Sequence, residues 1–150
     1  MGQQYSSVVG EADQELDQRL SDELDKVNAA ATTGITAARE LTVKILNDSG
    51  QLCAGMSGWS WGVAAGIGMT WVHNDLRGDG LGAKLLEEFE AEAFARGCTH
   101  VFTTSFTFQA PGFYERHGYK EIFRWKGVPT PNSDDVHFRK ELAPPRILER

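Results

Sequence analysis

Residues 72–86 read V-H-N-D-L-R-G-D-G-L-G-A-K-L-L and connect the end of an apolar run to the start of a long amphipathic segment. This order predicts a strand, a tight loop and a helix. Glycines at positions 78, 80 and 82 let the backbone turn sharply and bring its N–H groups close to a ligand. The first helical turn adds unpaired N–H donors, and Arg77 adds a permanent positive charge. The stretch therefore predicts a loop that binds phosphate or pyrophosphate.

Two common phosphate-binding motifs do not match this loop. A P-loop requires G-x-x-x-x-G-K-[ST], but here Lys84 is followed by Leu85 and lies at the wrong spacing. A dinucleotide fingerprint requires G-x-G-x-x-G, and the third position after Gly82 is Leu85. The pattern that fits is R-x-x-G-x-G, placed between a predicted strand and a predicted helix.

That pattern, at Arg77–Gly82, resembles the acyl-CoA signature of the GNAT superfamily of N-acyltransferases. A second motif follows at Ala110–Tyr119, A-P-G-F-Y-E-R-H-G-Y, which is similar to the family's A-x-x-F-Y-x-x-x-G-[FY] helix. The two motifs stand in the order that the family has, with a helix and a strand between them. The resemblance covers about residues 41–142, whereas the first forty residues match the family only in predicted layout.

The resemblance implies an α+β fold with three layers. Its centre is a mixed, mostly antiparallel sheet of about six to seven strands, flanked by helices, in which a splayed parallel strand pair holds CoA. Strand signals in the sequence fall at Tyr5–Val9, Leu41–Leu46, Leu52–Trp59, Val63–Val72, Thr99–Ser105, Tyr119–Trp125 and Val136–Leu142. Turn signals at 47–50 and at 60–62 indicate hairpins. We expect one domain over residues 1–150, with a tail from Ala143 that leaves the sheet.

Helix signals accompany these strands. Asp13 is a candidate N-cap for a helix with an apolar stripe at Leu16, Leu20, Leu24 and Val27. A second helix runs from about Gly80 to Arg96 and stops at Gly97. Its predicted buried stripe consists of Leu81, Leu85, Leu86, Phe89 and Ala93. Its predicted solvent face consists of Glu87, Glu88, Glu90 and Glu92. Pro111 begins a third, short helix that Gly118 ends.

Two glycines inside the strand before the loop, Gly66 and Gly68, should weaken it unless a bulge or a close ligand requires them. In the family, this strand bulges and pairs with the pantetheine arm of CoA. The resemblance extends the expected CoA-binding residues beyond the loop to Trp71, Val72, Arg77, Gly78, Asp79, Gly80, Leu81, Gly82, Ala83, Ser105 and Phe113.

Composition limits the class of protein and its partners. The chain of 150 residues is 41% hydrophobic and 24% charged, and its net charge is −6. These values are typical of a globular protein and argue against a nucleic-acid partner, which favours a basic face. Two distant cysteines, no signal segment and no long apolar run predict a cytoplasmic protein without a membrane span or a disulfide. We expect no metal, and a homodimer is one open alternative for the oligomeric state.

The chemistry follows from the resemblance. An acceptor amine attacks the thioester of acetyl-CoA, the cosubstrate, in a ternary complex, and a backbone N–H near residues 69–72 polarises the carbonyl. Tyr114 lies at the motif position of the catalytic tyrosine that protonates the leaving thiolate. The alternative for Tyr114 is a core side chain. No general base is assigned, because the strand before the loop lacks an acid. His137, Asp134 and Asp135 could face the acceptor, and a route through water is equally open.

The acceptor site has the weakest sequence signal. Trp59 and Trp61 flank a turn and could stack on a cation, and Asp134 and Asp135 could pair with one. The leading hypothesis is acetylation of a small-molecule primary amine. Acetylation of a protein lysine or N-terminus, and a non-catalytic acyl-CoA sensor, are the alternatives.

Overall fold

The structure is a computed structural model that describes residues 2–143. The predicted departure of the tail beyond Ala143 lies outside these residues. The elements are, in chain order, α1 Gln14–Ala31, β1 Arg39–Leu46, β2 Leu52–Trp61, β3 Ala64–Val72, a 3₁₀ turn Asn74–Leu76, α2 Leu81–Ala95, β4 His100–Phe106, α3 Pro111–Arg116, β5 Lys120–Lys126 and β6 Asp134–Glu141. The chain divides between Ala37 and Ala38 into two compact units. The predicted single domain stays a prediction.

The first unit contains one helix, α1. Asp13 is its N-cap, as predicted, and the Asp13 side chain accepts a hydrogen bond of 3.0 Å from the N–H of Leu16. The predicted strand at Tyr5–Val9 is wrong, because these residues are in no regular element and their large side chains are exposed. A β-favouring composition does not make a strand where no neighbouring strand completes the backbone hydrogen bonds.

The second unit is built on a six-stranded sheet with the order β1-β2-β3-β4-β6-β5. Every neighbouring pair is antiparallel except β3 and β4, which are parallel. The predicted mixed, mostly antiparallel sheet is therefore confirmed. Since α2 connects the two parallel strands, it begins at the carboxyl end of β3 and returns the chain to the start of β4.

The hairpins show how local sequence sets the strand ends. The predicted turn at 47–50 is present: Gly50 has a φ of 76°, and the Asn47 side chain accepts from the N–H groups of Ser49 and Gln51. The second turn lies later than predicted, at Gly62 and Val63, so that Trp61 belongs to β2. Of these two turn residues only Gly62 has a positive φ, which is the pattern of a type II′ hairpin.

One face of the sheet carries the hydrophobic core. Both α2 and α3 pack on this face, and four of the five predicted stripe residues of α2 are buried, with Leu81 only partly so. The fully buried members of the core include Leu41, Ala54, Leu85, Phe89, Val101, Val136 and Phe138.

The prediction that Glu90 faces water is wrong. Its carboxylate pairs with Lys140 of β6, and its side chain is 14% exposed. The reason is tertiary: β6 places a cation opposite α2, which the helical pattern of α2 alone could not reveal.

The opposite side of the sheet, called the second face below, carries side chains that alternate with the core residues. Five large side chains of this face are at least one third exposed, namely Trp59, Trp71, Phe102, Phe123 and Trp125. No helix among residues 2–143 is both long enough and apolar enough to span a membrane.

Candidate active site

The parallel strands β3 and β4 separate at their carboxyl ends. Their pairing runs from Ala64 and His100 to Ile67 and Thr103, and then stops. At this point the register of β2 against β3 skips Gly68, because Ser57 pairs with Met69 and Gly58 pairs with Ile67. The extra residue is a β-bulge that bends the strand, and it confirms the predicted bulge in this strand.

The bend leaves backbone groups of β3 facing the gap. The N–H of His73 donates to the carbonyl of Cys53 on β2 at 2.9 Å. Because hydrogen-bonding direction alternates along an antiparallel strand, the N–H groups of Thr70 and Val72 point the other way. These donors face the space that β4 would occupy if the pairing continued, which is where a bound carbonyl or amide could accept from them.

A cavity of about 890 Å³ occupies this gap and the loop beside it. All of the predicted CoA-binding residues except Asp79 line it, and so does Tyr114. Asp79 lies in the same turn with its side chain exposed to solvent. The lining residues come from both faces of the sheet. Thr70 and Ser105 point to the core side, because they pair with the buried residues Met56 and Val136, whereas Trp71 and Thr104 point to the second face. The cavity therefore passes through the sheet between the two strands.

The loop of residues 77–82 has the conformation that its glycines predict. Gly78 and Gly80 have φ values of 93° and 78°, a region that other residues rarely adopt. Gly80 is also the N-cap of α2 and offers no side-chain hydrogen bond to the first turn. The first N–H groups of α2 therefore stay available to an anion. Arg77 is exposed and makes no ion pair within residues 2–143.

Gly82 serves packing rather than backbone conformation. A Cβ at this position would lie 3.0 Å from the ring of Phe113. The absence of a side chain lets the start of α2 approach α3 closely, so the loop and the second motif border the same cavity. The two motifs, which are separated in sequence by residues 83–109, thus meet in one site.

Tyr114 is both a core residue and a cavity residue. It is 6% exposed, and its ring packs against Phe113, Tyr119 and Phe138. Its hydroxyl lies 3.2 Å from the hydroxyl of Thr70 on β3. The two competing interpretations of Tyr114 are therefore compatible, because the ring anchors α3 and the hydroxyl reaches the gap between the strands. Its predicted role as an acid stays a prediction.

Sequence reasoning missed several lining residues. Thr70, Gln109 and Arg116 line the cavity, and so does His117, whose Nδ1 lies 2.8 Å from the carbonyl oxygen of Phe113. No local signal marks Thr70, because a threonine in a strand is ordinary. Arg116 and His117 stand inside the second motif at positions that it leaves unspecified.

The predicted acceptor residues lie outside this cavity. The ring of Trp59 packs over Gly66, where a Cβ would come within 2.4 Å of it. Gly66 is therefore explained by Trp59 and not by a ligand. Trp61 is partly buried at the end of β2. For all these residues the predicted contact with an acceptor stays a prediction.

Asp134 and Asp135 have different partners. Asp134 accepts from Arg124 at 2.8 Å and from the N–H of Gly127 at 3.2 Å. The hydrogen bond from Arg124, and next that from Gly127, hold the pKa of Asp134 below its usual value. Asp134 thus braces the turn between β5 and β6. The Asp135 side chain instead lies 2.9 Å from Nε2 of His137, on the second face.

The chain is similar to known acetyltransferases. A family model described as Acetyltransferase (GNAT) domain matches residues 39–121. Blasticidin-S acetyltransferase of Streptomyces morookaense is 35% identical over 101 residues, which is 63% of this chain and 72% of the relative. The crystal structure of an acetyltransferase from Bacillus cereus superposes with a TM-score of 0.76 at 27% identity, covering 91% of this chain and 98% of that one.

A structure of aminoglycoside 6′-N-acetyltransferase complexed with coenzyme A superposes with a TM-score of 0.64. It is 16% identical and covers 90% of this chain and 95% of that one, so it shows the shared fold alone.

Proposed function

The chain belongs to the GNAT acetyltransferase family, and on that premise we propose that it transfers the acetyl group of acetyl-CoA to a primary amine of a small molecule. One observation carries the proposal: the glycine-rich loop of residues 77–82 and Tyr114 border the same cavity. A cosubstrate that combines a pyrophosphate with a reactive thioester requires a phosphate-binding loop and a proton donor in one site.

The residues fit that cosubstrate in kind. Arg77, the two glycines with positive φ and the uncapped start of α2 offer a cation and backbone donors to a pyrophosphate. The unpaired edge of β3 offers N–H groups to an extended amide chain, and Phe113 and Leu81 supply apolar walls. When bound, acetyl-CoA supplies an activated acyl group and a thiolate leaving group.

The chain's own residues would act on that chemistry in two ways. An N–H at Thr70 or Val72, aimed into the gap, would stabilise the negative charge that develops on the carbonyl oxygen. The Tyr114 hydroxyl would give its proton to the departing sulfur, because a phenol holds its proton at neutral pH. Thr70, hydrogen-bonded to Tyr114, would fix the direction of that hydroxyl.

A small molecule is favoured as the acceptor by the relative named for blasticidin S, with which the chain shares 35% identity. The charge of −6 suits a cationic acceptor, since an amine is protonated at neutral pH.

The proposal is tested by thiol release from acetyl-CoA in the presence of a panel of amines, using wild type, Tyr114→Phe and Tyr119→Phe. We expect Tyr114→Phe to lower kcat by about 10²-fold or more, in the range of a lost general acid. Tyr119→Phe is the matched control, because it removes a neighbouring phenol that belongs to the same aromatic cluster.

The alternatives predict different outcomes. Silence with every small amine together with acetylation of lysine peptides would indicate a protein acetyltransferase. Silence with both groups, alongside stabilisation by CoA, would indicate the sensor. Near-normal turnover by Tyr114→Phe would return Tyr114 to a purely structural role.

A further inference from the structure

His137 and Asp135 form a hydrogen-bonded pair on the second face of the sheet. Nε2 of His137 lies 2.9 Å from Oδ2 of Asp135, and the two side chains are 32% and 19% exposed. A carboxylate can only accept a hydrogen bond, so Nε2 carries the proton in this pair. The lone pair of the neutral ring is then on Nδ1. Such a carboxylate fixes both the orientation and the tautomer of an imidazole.

The pair lies beside the gap through which the cavity crosses the sheet. His137 pairs with Thr104 in the register of β4 and β6, and Thr104 lines the cavity. Thr104 is also the first residue of β4 beyond the last pair with β3, which joins Ile67 and Thr103. Side chains that are direct cross-strand neighbours have Cβ atoms about 4.5–5.5 Å apart. A group that emerges from the gap onto the second face therefore meets Thr104 and His137 together.

The surroundings of this pair suit an organic cation. The ring of Phe123 lies 5.7 Å from the ring of His137, edge to face, and Trp125 lies 4.9 Å from Phe123. Three charged residues of β6 lie on this face: Asp135, Arg139 and Glu141. Arg139 lies two residues after His137 and pairs with Glu141 at 3.4 Å. The facing residues Thr104 on β4, and Phe123 and Trp125 on β5, are uncharged. One carboxylate and the ring of Phe123 thus border the imidazole, and Trp125 lies beyond Phe123, opposite Asp135. Carboxylates and aromatic rings both attract an ammonium group.

We infer that His137, oriented by Asp135, is the general base that takes a proton from the ammonium group of the acceptor. The inference rests on the proposed function and adds to it the group that the strand before the loop lacks. Nδ1 of His137 accepts one proton and leaves a neutral amine. The amine nitrogen forms a bond to the acyl carbon while the carbon–sulfur bond breaks, and Tyr114 protonates the sulfur. Water returns the remaining surplus proton of the nitrogen to Tyr114, and His137 releases its own proton to solvent.

The closing experiment compares His137→Gln with His100→Gln. Glutamine at 137 keeps an N–H donor for Asp135 but provides no base. His100 is a matched control, because it also lies on the second face near a carboxylate, Glu141 at 3.6 Å, but at the other end of β4. With an alkylamine at pH 7 we expect His137→Gln to lower kcat/KM by about 10²-fold, within the range for a general base. We expect His100→Gln to remain within twofold of wild type.

Two further readouts separate a base from a structural residue. The loss in His137→Gln should shrink as the pH rises. From pH 7 upward it should be small with a hydroxylamine, which is already neutral at pH 7. Independently of turnover, the ¹⁵N spectrum of the histidine rings should show a shift of the His137 Nδ1 signal, and none at His100, when a polyamine is added with CoA.

Each outcome decides between the two levels of the proposal. Wild type that acetylates no amine overturns the proposed function and this inference with it. Active wild type with an unimpaired His137→Gln variant overturns the inference alone. An equal loss with alkylamine and hydroxylamine, or an unchanged His137 signal, also overturns it, because the histidine would then shape the site without accepting a proton.

Discussion

A hydroxyl that must deliver a proton to a particular atom needs a fixed direction. The C–O bond of tyrosine rotates freely, and at Tyr114 the neighbouring hydroxyl is that of Thr70, at 3.2 Å. When the tyrosine loses its proton, the same threonine can donate to the phenolate, so one contact both aims the acid and stabilises its product. Thr70 would then be a positioning residue for Tyr114.

Replacement of Thr70 by valine tests this role at constant shape. We expect Thr70→Val to lower kcat by about 10-fold, equivalent to roughly 1.4 kcal/mol, which is near the upper end for one neutral hydrogen bond. KM for acetyl-CoA should stay the same, because the backbone donors of β3 are unchanged. Steady-state kinetics with one amine at saturation measures both.

Serine at position 70 is the control, since it restores the hydroxyl without the methyl group. Thr70→Ser should recover most of the rate. In the Tyr114→Phe background, Thr70→Val should cost little more, because the partner is already gone. Additive losses in the double variant would show that the two hydroxyls act independently.

These residues also show which parts of the site could be predicted. The residues of the loop and Tyr114 stand in motifs whose spacing is local, so the sequence located them. Thr70 and Thr104 acquire their importance from the register of β2, β3, β4 and β6, and that register depends on a bulge at Gly68 and on contacts between distant strands. The sequence around a threonine in a strand indicates neither the bulge nor the contacts between distant strands.

At the scale of elements, the strand–loop–helix unit around α2 combines two different uses of glycine. Gly66 leaves room for the ring of Trp59, whereas Gly78 and Gly80 supply a backbone conformation. The sequence could not separate these uses, since the first depends on a side chain from the neighbouring strand.

The conformational use predicts a defined effect on ligand binding. A valine at Gly80, where φ is 78°, strains the backbone at the first turn of α2 and places a branched side chain in the cavity wall. We expect Gly80→Val to lose the rise in Tm that CoA gives to wild type, because a ligand stabilises only the state that binds it. Thermal unfolding with and without CoA measures this rise.

Gly50→Val is the control for the effect of backbone strain alone. Gly50 has a φ of 76° in the hairpin between β1 and β2, and a Cβ there, as at Gly80, meets no atom within 4 Å. Both variants should therefore lose similar stability, roughly 1–3 kcal/mol for one strained residue. Only Gly80→Val should lose the response to CoA. A folded Gly80→Val protein with the full CoA response would exclude this loop from the binding site.

At the scale of the whole molecule, the pH dependence of stability follows from buried groups whose ionisation is unfavourable. Burial, and next the Glu90 carboxylate and Tyr114, raise the pKa of Tyr119 well above its usual value. Within residues 2–143 the Tyr119 hydroxyl is also a buried side-chain oxygen without a hydrogen-bond partner. Burial likewise raises the pKa of the Cys98 thiol, against a smaller opposing effect of Arg96.

The sign of the resulting pH dependence follows from proton binding. Above roughly pH 8.5 for a thiol and pH 10 for a phenol, the unfolded chain loses protons that the folded protein retains. The unfolded state then binds fewer protons, so the free energy of unfolding falls as the pH rises. Each such proton contributes a slope of about 1.4 kcal/mol per pH unit. The contribution is complete below the ordinary pKa of each group and is lost above it.

We therefore expect the wild-type Tm to decline between pH 9 and pH 11, and the decline to be shallower in Tyr119→Phe above pH 10. At pH 7 the same variant should unfold at an equal or higher temperature than wild type, because it removes a buried hydroxyl that has no partner. Tyr5→Phe is the matched control: its side chain is 86% exposed, so the loss of its hydroxyl should leave the pH profile unchanged. A profile of Tyr119→Phe that is parallel to wild type up to pH 11 would mean that the phenol ionises equally in the folded and unfolded protein. The folded protein would then not shield the Tyr119 hydroxyl from solvent.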